Sequence, residues 1–155
     1  MPTLIVYASR YGCAEKCARM LQDRLEGAVL CNLAKDEKAS LDDYDCIVVG
    51  GSIYAGRIHS KVARFCERNM DVLLGKKLGL FLCCADLAKV EEQMATAFDE
   101  RLREHAVAVE HFGYEYNLEK MNFVVRRIIR LIAKTDRTES HIAAANIERL
   151  ADALR

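Results

Sequence analysis

The stretch VYASRYGCAEKCA, residues 6–18, joins an apolar run to a helical pattern through a small polar loop with one glycine. The run it closes, TLIVYA (3–8), is rich in Val, Ile and Leu, as suits a strand buried on both faces. Strand, loop and helix in that order bring free backbone N–H groups and the positive end of a helix dipole to one point, where anions bind. The loop has neither the GK[ST] ending of a nucleoside-triphosphate loop nor the GxGxxG spacing of a dinucleotide fingerprint. Gly12 permits a tight turn and a close ligand approach, Ser9 offers a hydroxyl, and Arg10 a charge. The alternative is a plain strand-to-helix turn with Ser9 as a cap.

Working outward, similar segments recur as AVLCNL (28–33), CIVVG (46–50), LGLFLC (78–83) and AVAVEHF (106–112). Helical periodicity fills about 13–26, 58–73 and 88–105 between them. Such alternation implies a doubly wound α/β domain, a parallel sheet with helices on both faces. Right-handed crossovers leave the strand order 2-1-3-4-5 or half of a longer dinucleotide-binding sheet. With 155 residues there is no second half, so the first order and a single domain over 1–155 are expected. Its ligand crevice lies beyond the carboxyl ends of strands 1 and 3. The loops leaving those ends, ASRYGCA (8–14) and GGSIYAGRIHS (50–60), carry the richest chemistry, with CCADLA (83–88) beside them. A phospho-receiver domain shares this topology but needs acidic residues where these ends read Ala-Ser and Gly-Gly.

The second loop suits a flat ring. Ser52 supplies a hydroxyl, Ile53 an apolar contact, and Tyr54 an aromatic face. Gly51 and Gly56 let the peptide run close to a ring edge. Arg57 and His59 are expected to open the third helix, where a basic residue opposes the dipole, so Arg57 serves a ligand or a carboxylate. His59 has two roles open to it, proton transfer in the crevice or capping.

Composition bounds the rest. Just over half the residues are hydrophobic and the formal net charge is zero, which argues against disorder and against a nucleic-acid partner. Seven cysteines with no secretory pattern read as reduced thiols of a cytoplasmic protein. Cys13 and Cys17 share a helix face, but no second ligand pair accompanies them, and His105, His111 and His141 lack metal spacing; no metal site is expected. Vicinal Cys83 and Cys84 are small buried residues or a redox pair.

Two helical segments, about 117–134 and 138–154, follow the fifth strand, where one would finish the fold. In the first, Met121, Val124, Val125, Ile128, Ile129 and Ile132 form an apolar stripe, with Arg126, Arg127, Arg130 and Lys134 around it and no acid from Lys120 to Thr135. Three roles fit this extra amphipathic helix: packing on the sheet, contact between two copies of the chain, or adsorption at the inner face of an anionic membrane.

The phosphate-type loop stands where flavodoxins carry theirs. The stretch YDCIVVGGSIYAGRIHSKVARFCERN (44–69) resembles more narrowly the flavodoxin-like, menaquinone-dependent protoporphyrinogen oxidase family. That resemblance covers most of residues 3–75 and reappears in YEYNLEKMNFVVRRIIRLIAKTDRTES (114–140). It implies a flavodoxin-like fold and FMN as cofactor, with electrons passing from a small-molecule redox substrate to a quinone. The alternative within it is a small electron carrier. By the same resemblance Ser9, Arg10, Tyr11, Gly12, Cys13 and Ala14 would cradle the FMN phosphate. Ser52, Ile53, Tyr54, Ala55 and Gly56 would flank the isoalloxazine on one side, and Cys83 to Leu87, with Cys84, Ala85 and Asp86 foremost, on the other. A peptide carbonyl near Gly56 would tune the flavin's redox states. The flavin does the chemistry, so no catalytic side chain is required. Cys13 and Ala14 stand where flavodoxins usually place hydroxyls, and a thiol is a weak donor.

Overall fold

The three innermost strands consist of residues that water hardly reaches. The computed structural model describes residues 2–36, 40–116, 122–133 and 139–155. In it β1 (Thr3–Ala8) is buried at all six positions. Strand β3 (Cys46–Tyr54) is buried over its first six residues, and β5 (Lys77–Cys83) at all but the first. Strands β2 (Val29–Asn32) and β6 (Ala108–His111) are shorter, more polar and half-buried, and they form the edges. The five pair in parallel as β2-β1-β3-β5-β6, which in chain order is the expected 2-1-3-4-5.

Helices cover both faces. On one side α1 (Cys13–Gln22) and α7 (Ala144–Leu154) pack Ala14, Cys17, Leu21, Ile147 and Leu150 against Ile5, Val48 and Phe81. On the other, α2 (Ser60–Arg68), α3 (Met70–Leu74), α4 (Val90–Ala97) and α5 (Glu100–His105) pack Val62, Phe65, Leu73, Met94 and Leu102 against Leu4, Val49 and Leu80. Phe81 stacks on Phe112 with centroids 4.6 Å apart. Gly50 makes that possible, because a Cβ there would run into the Phe81 ring.

The structure corrects several boundaries. The helix expected over 58–73 is two helices, because Asn69 leaves the helical region and its side-chain Nδ2 donates to the Phe65 carbonyl at 2.9 Å. The helix expected over 88–105 breaks at Phe98, which turns extended and drops fully into the core, while Asp99 caps α5 through the Arg101 N–H at 2.9 Å. Strand 3 runs past Gly50 to Tyr54 and folds back as β4 (Arg57–Ile58), pairing Ile53 with Ile58 and Tyr54 with Arg57. Arg57 therefore lies on a strand rather than at a helix start.

Between β6 and α7 the chain makes an excursion. Strands β7 (Gly113–Tyr116) and β8 (Glu139–Ile142) pair antiparallel, with α6 (Phe123–Ala133) between them. The closing helix expected from 138 thus begins at Ala144, since ESHI is taken by β8. Helix α6 starts with Asn122, whose Oδ1 accepts the Val125 N–H at 2.9 Å. Val124 and Ile128 of the apolar stripe are exposed, as are Phe123 and Leu131 beside it, so these four side chains do not pack on the sheet. Met121 and Lys134 lie outside the described residues, as do the side chains of Arg126, Ile129, Arg130 and Ile132. Among the described residues, no helix is long and apolar enough to cross a membrane.

Candidate functional site

A cleft of about 460 Å³ opens above the carboxyl ends of β1, β3 and β5, where the strand order reverses. The first loop forms one wall. Gly12 adopts φ 96°, a left-handed conformation that glycine enters without strain, and it caps α1 without any side-chain partner. The Gly12 N–H donates to Ser9 Oγ at 2.9 Å, which leaves the Ser9 O–H free to donate. Lys16 N already bonds the Gly12 carbonyl, so the amides of Cys13, Ala14 and Glu15 are the first-turn donors that the helix itself does not use. Glu15 brings a negative charge to this turn and is held by Arg19 at 3.1 Å.

The β3–β4 hairpin forms the opposite wall. Its turn places both Ala55 (φ 52°) and Gly56 (φ 79°) in the left-handed region, as a tight two-residue hairpin demands. A non-glycine residue held there stores backbone strain of order 1 kcal/mol. The Arg10 guanidinium lies over the Tyr54 ring, 4.4 Å from its centroid, and Tyr11 meets the same ring edge-on at 5.9 Å. The arginine expected beside a phosphate and the tyrosine expected to stack are therefore engaged with each other. Such a cation–π contact is worth about 0.5–1 kcal/mol at an exposed site, within reach of a ligand that offers both groups something better. Ser52 Oγ is buried and finds no hydrogen-bond partner among the described residues. Leaving a buried hydroxyl unsatisfied costs about 1–3 kcal/mol, which a polar ligand edge would relieve.

His59 caps α2, its Nδ1 accepting the Lys61 N–H at 3.2 Å. Burial first, then the charges of Arg10, Lys61 and Arg64, hold its imidazole below the usual histidine range. The ring is thus a neutral cap facing the cleft.

Of the expected site residues, Arg10, Tyr11, Cys13, Ser52, Ile53, Tyr54, Ala55, Cys84 and Ala85 line the cleft. Ser9, Gly12, Ala14 and Gly56 belong to the same two loops but do not line the cleft. Asp86 turns away to accept the Ala88 N–H at 3.2 Å and start a short 3₁₀ turn. Cys83 and Cys84 do not act as a pair: they point to opposite faces of the sheet, and burial pushes Cys84 up to about 11. Tyr114 and Glu115 of β7 complete the cleft, with Glu115 bound to Lys16 of α1 at 2.7 Å. Glu115 escaped the sequence reading because nothing marked residues 113–116 as a strand returning to the first helix.

The thiols of Cys13, Cys17 and Cys83 meet beneath the loop, all within 4.8 Å of one another. Cys17 first, then Cys83, donates toward Cys13 and holds it well below the ordinary thiol range, while those two are pushed up. The start of α1 favours the same member as thiolate.

A sequence-family model of a flavodoxin domain matches residues 4–142. No curated protein shows a significant match. Among solved structures, the flavodoxin of Streptococcus pneumoniae TIGR4 superposes with a TM-score of 0.60 at 14% identity, over 99% of this chain and 97% of that one. Rubredoxin oxygen:oxidoreductase of Desulfovibrio gigas gives 0.58 at 16% identity over 99% of this chain, which spans only 37% of that protein. Oxidised flavodoxin 2 of Bacillus cereus gives 0.57 at 25% identity, over 74% and 84%. The first two likenesses speak for the fold, and the family match rests on the sequence itself. The chain belongs to the flavodoxin domain family.

Proposed function

We propose that the cleft holds FMN and that the protein is a flavodoxin-like oxidoreductase passing electrons from a reduced small molecule to a quinone. The observation that carries the cofactor is the buried Ser52 Oγ, without a partner among the described residues, in a cleft whose opposite wall is a helix start with no side-chain cap. Bound there, FMN supplies one- and two-electron transfer. Ser9, Arg10 and the first-turn amides of α1 would bind its phosphate. Ser52 and the hairpin from Ile53 to Gly56, with Cys84 and Ala85 opposite, would orient its ring and keep water from it. His59, as a neutral cap, holds the start of α2 in place beside the ring.

The quinone-linked reading rests on the resemblance of residues 44–69 and 114–140 to protoporphyrinogen oxidases, and on α6. That helix displays Phe123, Val124, Ile128 and Leu131 to solvent, with Arg127 exposed among them. A basic helix with an unpartnered apolar face suits an anionic membrane surface, where a quinone resides. In the second reading, favoured by the family match, the protein is an electron carrier without a substrate of its own. The FMN-loaded protein, mixed anaerobically with protoporphyrinogen and a menaquinone analogue, decides between them. Multiple turnovers support the oxidase reading, and flavin reduction without turnover, or no reduction, removes it. Flotation with anionic liposomes tests the surface: wild type floats, and Arg126, Arg127 and Arg130 all changed to Glu stays behind. Equal flotation removes the membrane contact and leaves a second copy of the chain as the partner of α6.

A further inference from the structure

Three of the seven cysteines, far apart in sequence, converge in the fold. Cys13 opens α1, Cys17 follows one turn later on the same face, and Cys83 ends β5. The three residues are 7%, 0% and 2% exposed, and all are free thiols. Their sulfurs lie within 4.8 Å of one another, and no other three Cys, His, Asp or Glu residues come so close among the described residues. Three thiolates around one cation at about 2.3 Å stand about 4 Å apart, so the cluster needs to close by less than about 1 Å.

We propose that Cys13, Cys17 and Cys83 form a binding site for a thiophilic divalent cation of the Zn²⁺ type. Soft thiolate ligands select such ions. Cys13 and Cys83 also line the cleft, which provides an entry path and leaves a fourth coordination position facing it. Three protein ligands with one open position is an arrangement zinc accepts. On binding, three metal–sulfur bonds form; Cys13 enters as the thiolate, the S–H bonds of Cys17 and Cys83 break, and two protons leave to solvent; no electrons move. The site then carries a net charge of about −1, which the positive end of α1 offsets in part. Glu115 adds negative charge nearby and is itself neutralised by Lys16. The sequence hides the site because Cys83 reaches Cys13 and Cys17 only through the packing of α1 on the sheet.

The test is anaerobic titration of the reduced, metal-free full chain with Co²⁺ and then Zn²⁺, at a recorded flavin content. The expected result is one Co²⁺ per chain with a thiolate-to-metal charge-transfer band of three-sulfur intensity, displaced by Zn²⁺. Cys17→Ser, at the one thiol of the three that does not line the cleft, lowers Zn²⁺ affinity at least about 100-fold. Cys83→Ala does the same, while Cys66→Ser, at a buried thiol elsewhere, leaves affinity unchanged. A wild-type titration without the charge-transfer band overturns the proposal whatever the variants do. Wild-type affinity in both Cys17→Ser and Cys83→Ala overturns it as well.

Discussion

In β5, six of seven residues are buried and Phe81 stacks on Phe112, whereas in α6 Phe123 and Leu131 stand 72% and 74% exposed. Both segments are strongly apolar, and the difference lies in what surrounds them. Strand β5 has neighbours on both sides and helices on both faces, so its side chains leave water on folding. Helix α6 belongs to the excursion built on β7 and β8, and its Phe123, Val124, Ile128 and Leu131 side chains remain in solvent. Burial in the sheet is a matter of stability; the exposed face in the excursion is what the proposed membrane contact would use.

The contrast breaks first if the sheet proves tolerant. Phe81→Ala empties a fully buried site and should cost about 3–5 kcal/mol in chemical denaturation. A loss below about 1 kcal/mol would mean that this core is not what holds the fold. Next comes the cleft beyond the carboxyl ends of the strands. Tyr54→Ala removes the ring now covered by Arg10 and should weaken FMN binding by about 0.5–1.5 kcal/mol, up to roughly tenfold in Kd by fluorescence titration. Unchanged affinity would take Tyr54 out of the site.

A smaller effect follows from His59. Its folded pKa lies below the unfolded value of about 6.5, so the native state binds fewer protons than the unfolded chain. Stability is therefore full above that pH and declines as pH falls below it, by up to about 1 kcal/mol as the cap is lost. His59→Asn, which keeps a capping acceptor, should flatten this part of the pH profile; an unaltered profile would assign it to other groups. Smallest is Leu131→Asp in α6, expected to change stability by no more than about 0.5 kcal/mol while reducing liposome flotation. A large destabilisation would place Leu131 in a packed interface and collapse the distinction between the two regions.

The body of the sheet was legible because β1, β3 and β5 are continuous apolar runs that suit only strands buried on both faces. Their order followed from handedness and length, and the crevice from the order. The excursion was half legible: α6 announced itself by its stripe, but GYEY and ESHI are short and polar, and they pair with each other as a separate two-stranded sheet. The β3–β4 hairpin was missed because two residues, Arg57 and Ile58, carry no period. The break at Asn69 is a local side-chain bond to the Phe65 carbonyl, and the break at Phe98 is decided by packing, Phe98 being drawn into the core against local helical preference. Within the site, loop residues were legible one loop at a time. What joins the loops was not: Arg10 on Tyr54, Glu115 with Lys16, and Cys83 beside Cys13 and Cys17 all link residues distant in sequence.

The proposed FMN site is the cleft at the reversal of strand order. Titrating flavin-free protein with FMN, while following flavin fluorescence, tests it most directly. Saturation at one FMN per chain, with weaker binding in Ser52→Ala and in Arg10→Ala, is the predicted result. Absence of saturable binding, or full affinity in both variants, would contradict it.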